Sequence, residues 1–430
     1  MNYSLPKGTF DILPNQPDPW RSTEKWTHLE RVIRSLANVY GYREARTPIF
    51  ERTELFVRGV GATSDIVSKE MYTFEDKGGR SMTLRPEGTA SIIRAYIEKS
   101  LHMTPFQKLF YIGPFFRYDR PQAGRFRQFH QLGVEFFGEA ASTADFEVIS
   151  LALSLYKQLG LQNLKLMINS VGTESTRTPY RNALREFLLP HKDKLSEDSQ
   201  VRLEKNPLRI LDSKDKGDQK LVEGAPQMLD FLDDESRAHF ESLCNMLERN
   251  GISFVIEPKL VRGLDYYNKT VFEIASDVLG AQNVIGGGGR YDGFLKEFNG
   301  PDVPGVGFAT GLERILVTMD GQNCTFPKAA GPFVYIIPMG DSALEQCQDL
   351  LYTLRGAQIS ADLHRGSKKI QKALQTAEHI GAQYALVLGD NEIASQNAVL
   401  KDVTKREEIP VTLTSITETL QPMWKKHVEL

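Results

Sequence analysis

Cysteine is scarce in this chain of 430 residues: Cys244, Cys324 and Cys347 lie far apart and share no metal-ligand spacing. That excludes a disulfide-stapled scaffold and fits a reducing compartment, with each thiol an ordinary free one. No segment approaches the roughly 18 consecutive apolar residues that a bilayer span requires. Met1 to Trp20 holds four prolines and no apolar run, so no secretory signal is visible and a cytosolic protein is expected. Net charge is only -3, so contact with nucleic acid has to come from local basic patches rather than from a basic domain. A Gly-Lys-Ser/Thr loop is absent, and Gly305-Val-Gly307 is followed by Gly311, the wrong spacing for a dinucleotide fold. No His-Glu-x-x-His occurs and the eight histidines do not cluster, so no protein-held metal is expected. With 41% hydrophobic and 25% charged residues, the composition is that of a globular protein with a sizeable core. The length suggests about two to three domains.

The most informative stretch is Pro114 to Phe137, which sets Arg117, Arg120, Arg125 and Arg127 among aromatics, with Pro121 and Gly124 marking a turn at its middle. Alternation on both sides, ending in Leu132/Val134/Phe136, predicts a long hairpin with a basic tip. A guanidinium grips phosphate with two prongs and aromatic faces stack on bases, although a solvated edge hairpin would have the same pattern. Trp26, Leu29, Ile33, Leu36 and Tyr40 recur at helical spacing before Gly41, and Tyr42–Phe50 reads as extended, with Pro48 suited to an edge. Residues 171–254 are helical and charged, and strand texture returns at 252–256. Asp320–Pro332 reads as a linker. Beyond it, strands and helices alternate to residue 413, which predicts a small α/β domain with a largely parallel sheet.

Four further motifs could carry chemistry. In Thr83-Leu-Arg-Pro-Glu-Gly-Thr89, the Glu87 carboxylate and Thr89 hydroxyl stand just before a helix, where they either hold an ammonium group or cap the helix. In Leu260-Val-Arg-Gly-Leu-Asp-Tyr-Tyr267, Arg262, Tyr266 and Tyr267 sit on a loop leading into a strand. Gly286–Gly289 followed by Arg290-Tyr291 lets backbone approach a flat ligand, or else forms a flexible turn. Gly305–Val317 runs a glycine-rich strand into a helix bearing Arg314.

Together these motifs and the hairpin resemble the class II aminoacyl-tRNA synthetases, and within them the histidyl-tRNA synthetase family. The hairpin resembles the class motif 2, Gly305–Leu316 motif 3, and Gly41–Val60 motif 1. The arginine-tyrosine loop and the glycine run resemble the family's two histidine signatures. The resemblance covers essentially the full length. It implies an α+β catalytic domain with an antiparallel sheet (residues 1–170 and 255–325), a helical insertion (171–254) and a C-terminal α/β anticodon-binding domain (331–430).

The resemblance also implies roles. Arg117 and Arg262 are expected to flank the α-phosphate of ATP, with Arg125 and Arg314 toward its far end and magnesium as the nucleotide's companion. Glu135 and Tyr267 are expected to read the imidazole of L-histidine, Glu87, Thr89 and Gln131 to hold its amino group, Tyr266 to bind histidine beside them, and the glycine run and Tyr291 to wall the pocket. Where the family's motif 2 has glutamate, this chain has Asp119, a shorter carboxylate that can accept from the adenine amino group. Arg120 and Gln122 are expected at the acceptor end of tRNA(His), whose extra 5′ guanosine is the family's identity element. A homodimer built through motif 1 is expected. The regulatory relative in histidine biosynthesis typically lacks both the C-terminal domain and an intact arginine-tyrosine loop, and this chain has both.

Overall fold

The computed structural model describes residues 3–61, 66–119, 124–262, 266–327, 331–366 and 369–428. The chain divides into two compact units, Met1–Phe326 and Pro327–Leu430.

The first unit begins with α1 (Thr23–Val39), β1 (Arg43–Glu44), β2 (Phe50–Arg52) and α2 (Thr53–Val60). It continues through β3 (Tyr72–Glu75), β4 (Ser81–Leu84), α3 (Thr89–Glu98), β5 (Gln107–Phe116), β6 (Gln128–Phe137), α4 (Ser142–Gln158) and β7 (Lys165–Ser170). A helical stretch follows: α5 (Glu174–Leu188), α6 (Glu197–Lys205), α7 (Lys216–Leu221) and α8 (Asp234–Arg249). The unit closes with β8 (Val255–Ile256), β9 (Asn268–Ala275), β10 (Val284–Arg290), α9 (Phe294–Glu297), β11 (Gly305–Gly311) and α10 (Leu312–Gly321).

Its main sheet has eight strands in the order β1-β5-β6-β11-β10-β9-β7-β8; β2, β4 and β3 form a small separate sheet. The six strands from β5 to β7 pair antiparallel, and only the short end strands β1 and β8 add parallel edges. The expected hairpin is β5 and β6, in register from Gln107↔Phe137 to Phe116↔Gln128. Because side chains alternate across a strand, Leu132, Val134 and Phe136 of β6 pack into one core with α1, α4, α8 and α10. Gln131 and Glu135 consequently face the other way, toward a cleft.

The glycine run is a fully buried central strand and not a turn. It lies between β9 and β11, so close that a Cβ on Gly288 would stand 2.0 Å from the Gly307 carbonyl oxygen. Arg290 at its end is completely buried and ion-paired with the buried Asp145 of α4; it also donates to the carbonyls of Glu139 (2.9 Å) and Ala141 (3.0 Å). It fastens the strand to the helical layer.

The second unit contains β12 (Val334–Met339), α11 (Asp341–Gly356), β13 (Ala361–Leu363), α12 (Ile370–His379), β14 (Tyr384–Gly389), α13 (Asp390–Ser395), β15 (Asn397–Asp402), β16 (Glu408–Thr412) and α14 (Ile416–Val428). Its strand order is β13-β12-β14-β15-β16. The expectation of a largely parallel sheet holds for β13, β12 and β14 alone; β14–β15 and β15–β16 are antiparallel. The chain between β15 and β16 is too short for a crossover helix, so those two can only form a hairpin. The segment read as a linker from Asp320 starts late, since α10 runs to Gly321. Among the described residues, no helix is long and apolar enough to cross a membrane.

Candidate active site

A cleft of about 500 Å³ opens on the face of the main sheet, and every expected site residue that lies within the described residues lines it. Arg120 and Gln122 fall outside the described residues, as does the middle of the arginine-tyrosine loop.

One end of the cleft is a buried polar pocket. Glu135 on β6 is only 2% exposed, and its carboxyl accepts from the Thr89 hydroxyl at 2.8 Å and from the Tyr291 hydroxyl. Burial pushes its pKa up to about 8, against the pull of those hydroxyl donors. Glu87 accepts from the backbone amides of Thr89 and Ala90, each at 2.8 Å, so it caps α3 while lining the cleft. The two readings of that motif are therefore compatible: one carboxylate satisfies the helix N-terminus and faces the pocket. Burial raises the Glu87 pKa, opposed by the two amides. Aromatic walls complete this end. Tyr266 stacks on Phe294 with centroids 4.2 Å apart, Tyr267 lies 4.6 Å from Tyr266, and Tyr291 meets Tyr266 edge-on at 5.8 Å.

Guanidinium groups gather at the other end. Arg117 donates from Nε to the Pro86 carbonyl at 2.8 Å and lies over the Phe129 ring at 5.3 Å. Arg125 pairs with Asp119 at 3.0 Å. Arg262 forms an ion pair with Glu273 and sits 5.6 Å from the Tyr267 ring. Arg314 donates to the Val284 carbonyl at 2.6 Å. Its pKa is lowered by burial and then by the nearby charges of Arg125 and Arg117, so these cations share one small volume. Gly287 makes room for Arg262: a Cβ there would stand 2.7 Å from its Nη1.

Two further carboxylates belong to the site: Glu313, inside the motif that bears Arg314, and Glu273, on the strand that follows the arginine-tyrosine loop. Glu273 faces Gly287 across the β9–β10 ladder and supplies the counterion of Arg262. Glu313 accepts from the His130 amide at 2.8 Å and ring Nδ1 at 3.0 Å, tying α10 to the hairpin next to Arg314. Glu313 stands next to Arg314 in the sequence, which was its signal; Glu273 has no such neighbour. Arg209 and Asp212 of the helical stretch also line the cleft, and nothing in their local sequence marked them.

A cavity with clustered cations at one end and a buried carboxyl among tyrosines at the other suits a polyphosphate beside a small polar ring. Set on a mainly antiparallel sheet, with arginines on a hairpin and on the helix after its last long strand, it has the architecture of a class II aminoacyl-tRNA synthetase. A family model described as histidyl-tRNA synthetase matches residues 8–315, and one described as an anticodon binding domain matches residues 333–423. The histidine–tRNA ligase of Protochlamydia amoebophila is 52% identical over 98% of this chain and 100% of that protein. That of Bacillus subtilis is 45% identical over 98% and 99%. The apo S. aureus histidyl-tRNA synthetase structure matches with a TM-score of 0.82 at 36% identity, covering 98% of this chain and 100% of that one. The chain belongs to the histidyl-tRNA synthetase family.

Proposed function

We propose that this protein activates L-histidine with ATP and transfers it to the 3′ end of tRNA(His). The histidine carboxylate attacks the α-phosphorus of ATP, the bond to the β-phosphate oxygen breaks, and pyrophosphate leaves. A ribose hydroxyl of the tRNA then attacks the histidyl carbonyl and AMP leaves, with a phosphate oxygen of the adenylate taking the hydroxyl proton. The supporting observation is that one cavity holds both the carboxyl-and-tyrosine pocket and the four guanidiniums.

Two anions must meet in the first step, and charge grows on phosphorus, so cations on both sides lower the barrier. Arg117 and Arg262 take these positions, Arg125 and Arg314 hold the outer phosphates, and Asp119 faces the adenine amino group. Magnesium would accompany ATP as its own counterion and would neutralise phosphate charge beside Arg125 and Arg314. Glu135 and Tyr267 read the imidazole, Glu87, Thr89 and Gln131 hold the amino group, and Tyr266 and Tyr291 exclude larger side chains. Arg120 and Gln122 touch the acceptor end of the tRNA. Residues 171–254 act as an insertion in the catalytic domain, and residues 331–430 bind the anticodon end.

The protein works in the cytoplasm as a homodimer, its motif 1 segment pairing across a two-fold axis. A solution mass of about 97 kDa, twice 48.5 kDa, is expected, and a fully active monomer contradicts the pairing. Truncation after Phe326, where the compact units divide, should keep histidine-dependent pyrophosphate exchange while reducing charging. The function itself is tested by ATP–pyrophosphate exchange with each standard amino acid. Exchange with histidine alone is expected; exchange with none leaves a regulatory protein on the same fold.

A further inference from the structure

Besides the cleft-lining Arg209 and Asp212, the helical stretch between β7 and β9 touches one backbone atom of the tyrosine loop. Arg177, in the first turn of α5, donates from Nη1 to the Tyr267 carbonyl oxygen at 2.8 Å. Its Nη2 meets Glu174 one turn back at 3.2 Å, and its side chain is only 17% exposed. One planar fork thus holds a carbonyl and a carboxylate together, which an ammonium would do less well.

Downstream of Tyr267 the chain is already fixed by the sheet. Asn268 and Asp292 exchange hydrogen bonds at 2.6 and 3.1 Å, and the Lys269 amide donates to the Gly172 carbonyl at 2.9 Å. Lys269 is further tied to Glu235 of α8 at 2.8 Å. The Tyr267 carbonyl stands at the start of this anchored run, and Arg177 holds it from outside. On the inner side, the Tyr267 ring packs against Tyr266 and lies 5.6 Å from the Arg262 guanidinium. A shift at this carbonyl therefore moves the two rings that wall the Glu135 pocket, while Arg117, Arg125 and Arg314 hang from other elements.

We propose that Arg177 is a positioning residue for histidine, through which the helical stretch sets the Tyr266–Tyr267 pair against the pocket. The inference rests on the histidine-activating function proposed above. A charged donor on a buried carbonyl is among the stronger hydrogen bonds, and its loss lets the loop relax away from the pocket. If Arg177 only fastened α5 to the sheet, its loss would lower thermal stability and affect both substrates alike.

The test is pyrophosphate exchange by the full-length chain carrying Arg177→Ala, Arg177→Lys or Glu174→Gln, with Tm measured alongside. Arg177→Ala should raise the KM for histidine about tenfold. Its KM for ATP should stay within about twofold, and kcat at saturating histidine within a few-fold. Arg177→Lys, which keeps a donor, should recover part of the loss, and Glu174→Gln should change the histidine KM by less than about twofold. Should Arg177→Ala fail to fold, Arg177→Lys carries the same comparison: a rise confined to the histidine KM supports the proposal. Equal changes in both KM values, or an unmoved histidine KM, overturn it. Absence of histidine-dependent exchange in the unmodified chain would instead overturn the function on which it rests.

Discussion

The two ends of the cleft use different means to hold charge. At the ring end, the Thr89 and Tyr291 hydroxyls both donate to Glu135, buried on β6, at the start of α3 and just past β10. At the phosphate end, each arginine is held by a backbone carbonyl or by a carboxylate from a neighbouring element, as in Arg262–Glu273 and Arg125–Asp119. The ring end is thus formed before any ligand arrives. The phosphate end keeps its cations charged and close together, where mutual repulsion remains until an anion enters. In the function proposed above, recognition belongs to the first end and rate acceleration to the second.

The contrast is broken most severely at Arg262. Arg262→Ala should cost about 10²–10³ in adenylate formation, the loss typical of one donor to developing transition-state charge. Histidine binding at equilibrium should stay within a few-fold. Arg262→Lys should rescue poorly, because a point charge cannot span Glu273 and a phosphate together. Transfer from pre-formed histidyl-adenylate should survive much better, and single-turnover kinetics of the two half-reactions separate the steps. Equal loss in both would assign Arg262 to holding its loop.

Glu135→Gln should act at the opposite end, raising the KM for histidine by about 10–100-fold with the KM for ATP nearly unchanged. Steady-state exchange at varied concentrations of each substrate gives both values.

The smallest effect should come from Gly8, which reaches the phosphate end through the tip of the hairpin. The Arg127 amide donates to its carbonyl at 2.7 Å, and a Cβ at Gly8 would stand 2.8 Å from the Arg127 side chain. Gly8 also has a φ of +86°, where a side chain is strained. Arg127 in turn covers the Tyr118 ring at 3.9 Å, beside Arg117 and Asp119. Gly8→Ala should therefore raise the KM for ATP by about threefold to tenfold, through overpacking, and leave the histidine KM alone. A rise in the histidine KM of the same size would mean that the two ends are not independent.

Much of this division could be read in the sequence, because it rests on local pattern. Alternation through Leu132, Val134 and Phe136, with Pro121 and Gly124 as turn signals, pointed to the hairpin that β5 and β6 form. The motif resemblance supplied the arginines. What escaped was nonlocal. Glu273 meets Arg262 only because β9 and β10 pair in one register, and Arg177 meets Tyr267 only because α5 starts where β7 ends. The glycine run has the composition of a turn but is a central strand, since its purpose is close packing of β9, β10 and β11. In the second unit, alternating strands and helices suggested parallel pairing, and the final hairpin of β15 and β16 broke that pattern.

A pre-formed ring pocket has a proton signature. Folding raises the Glu135 pKa from an ordinary 4.5 to about 8, so its protonated form is favoured in the free protein. This residue's contribution to stability accordingly falls as pH rises between those values, because the unfolded chain gives up the proton first. An imidazole N–H arriving as a third donor, beside Thr89 and Tyr291, favours the carboxylate and should expel that proton. Near pH 7.5 the imidazole of free histidine is already mostly neutral, so the proton released there is the protein's own. The decisive measurement is titration calorimetry of histidine into the ATP-free protein at pH 7.5, in two buffers of different ionisation enthalpy. Binding without ATP is expected, with release of roughly half to one proton per site that disappears in Glu135→Gln. Binding only when ATP is present, or binding with no proton release, would contradict a histidine pocket built in advance of its ligand.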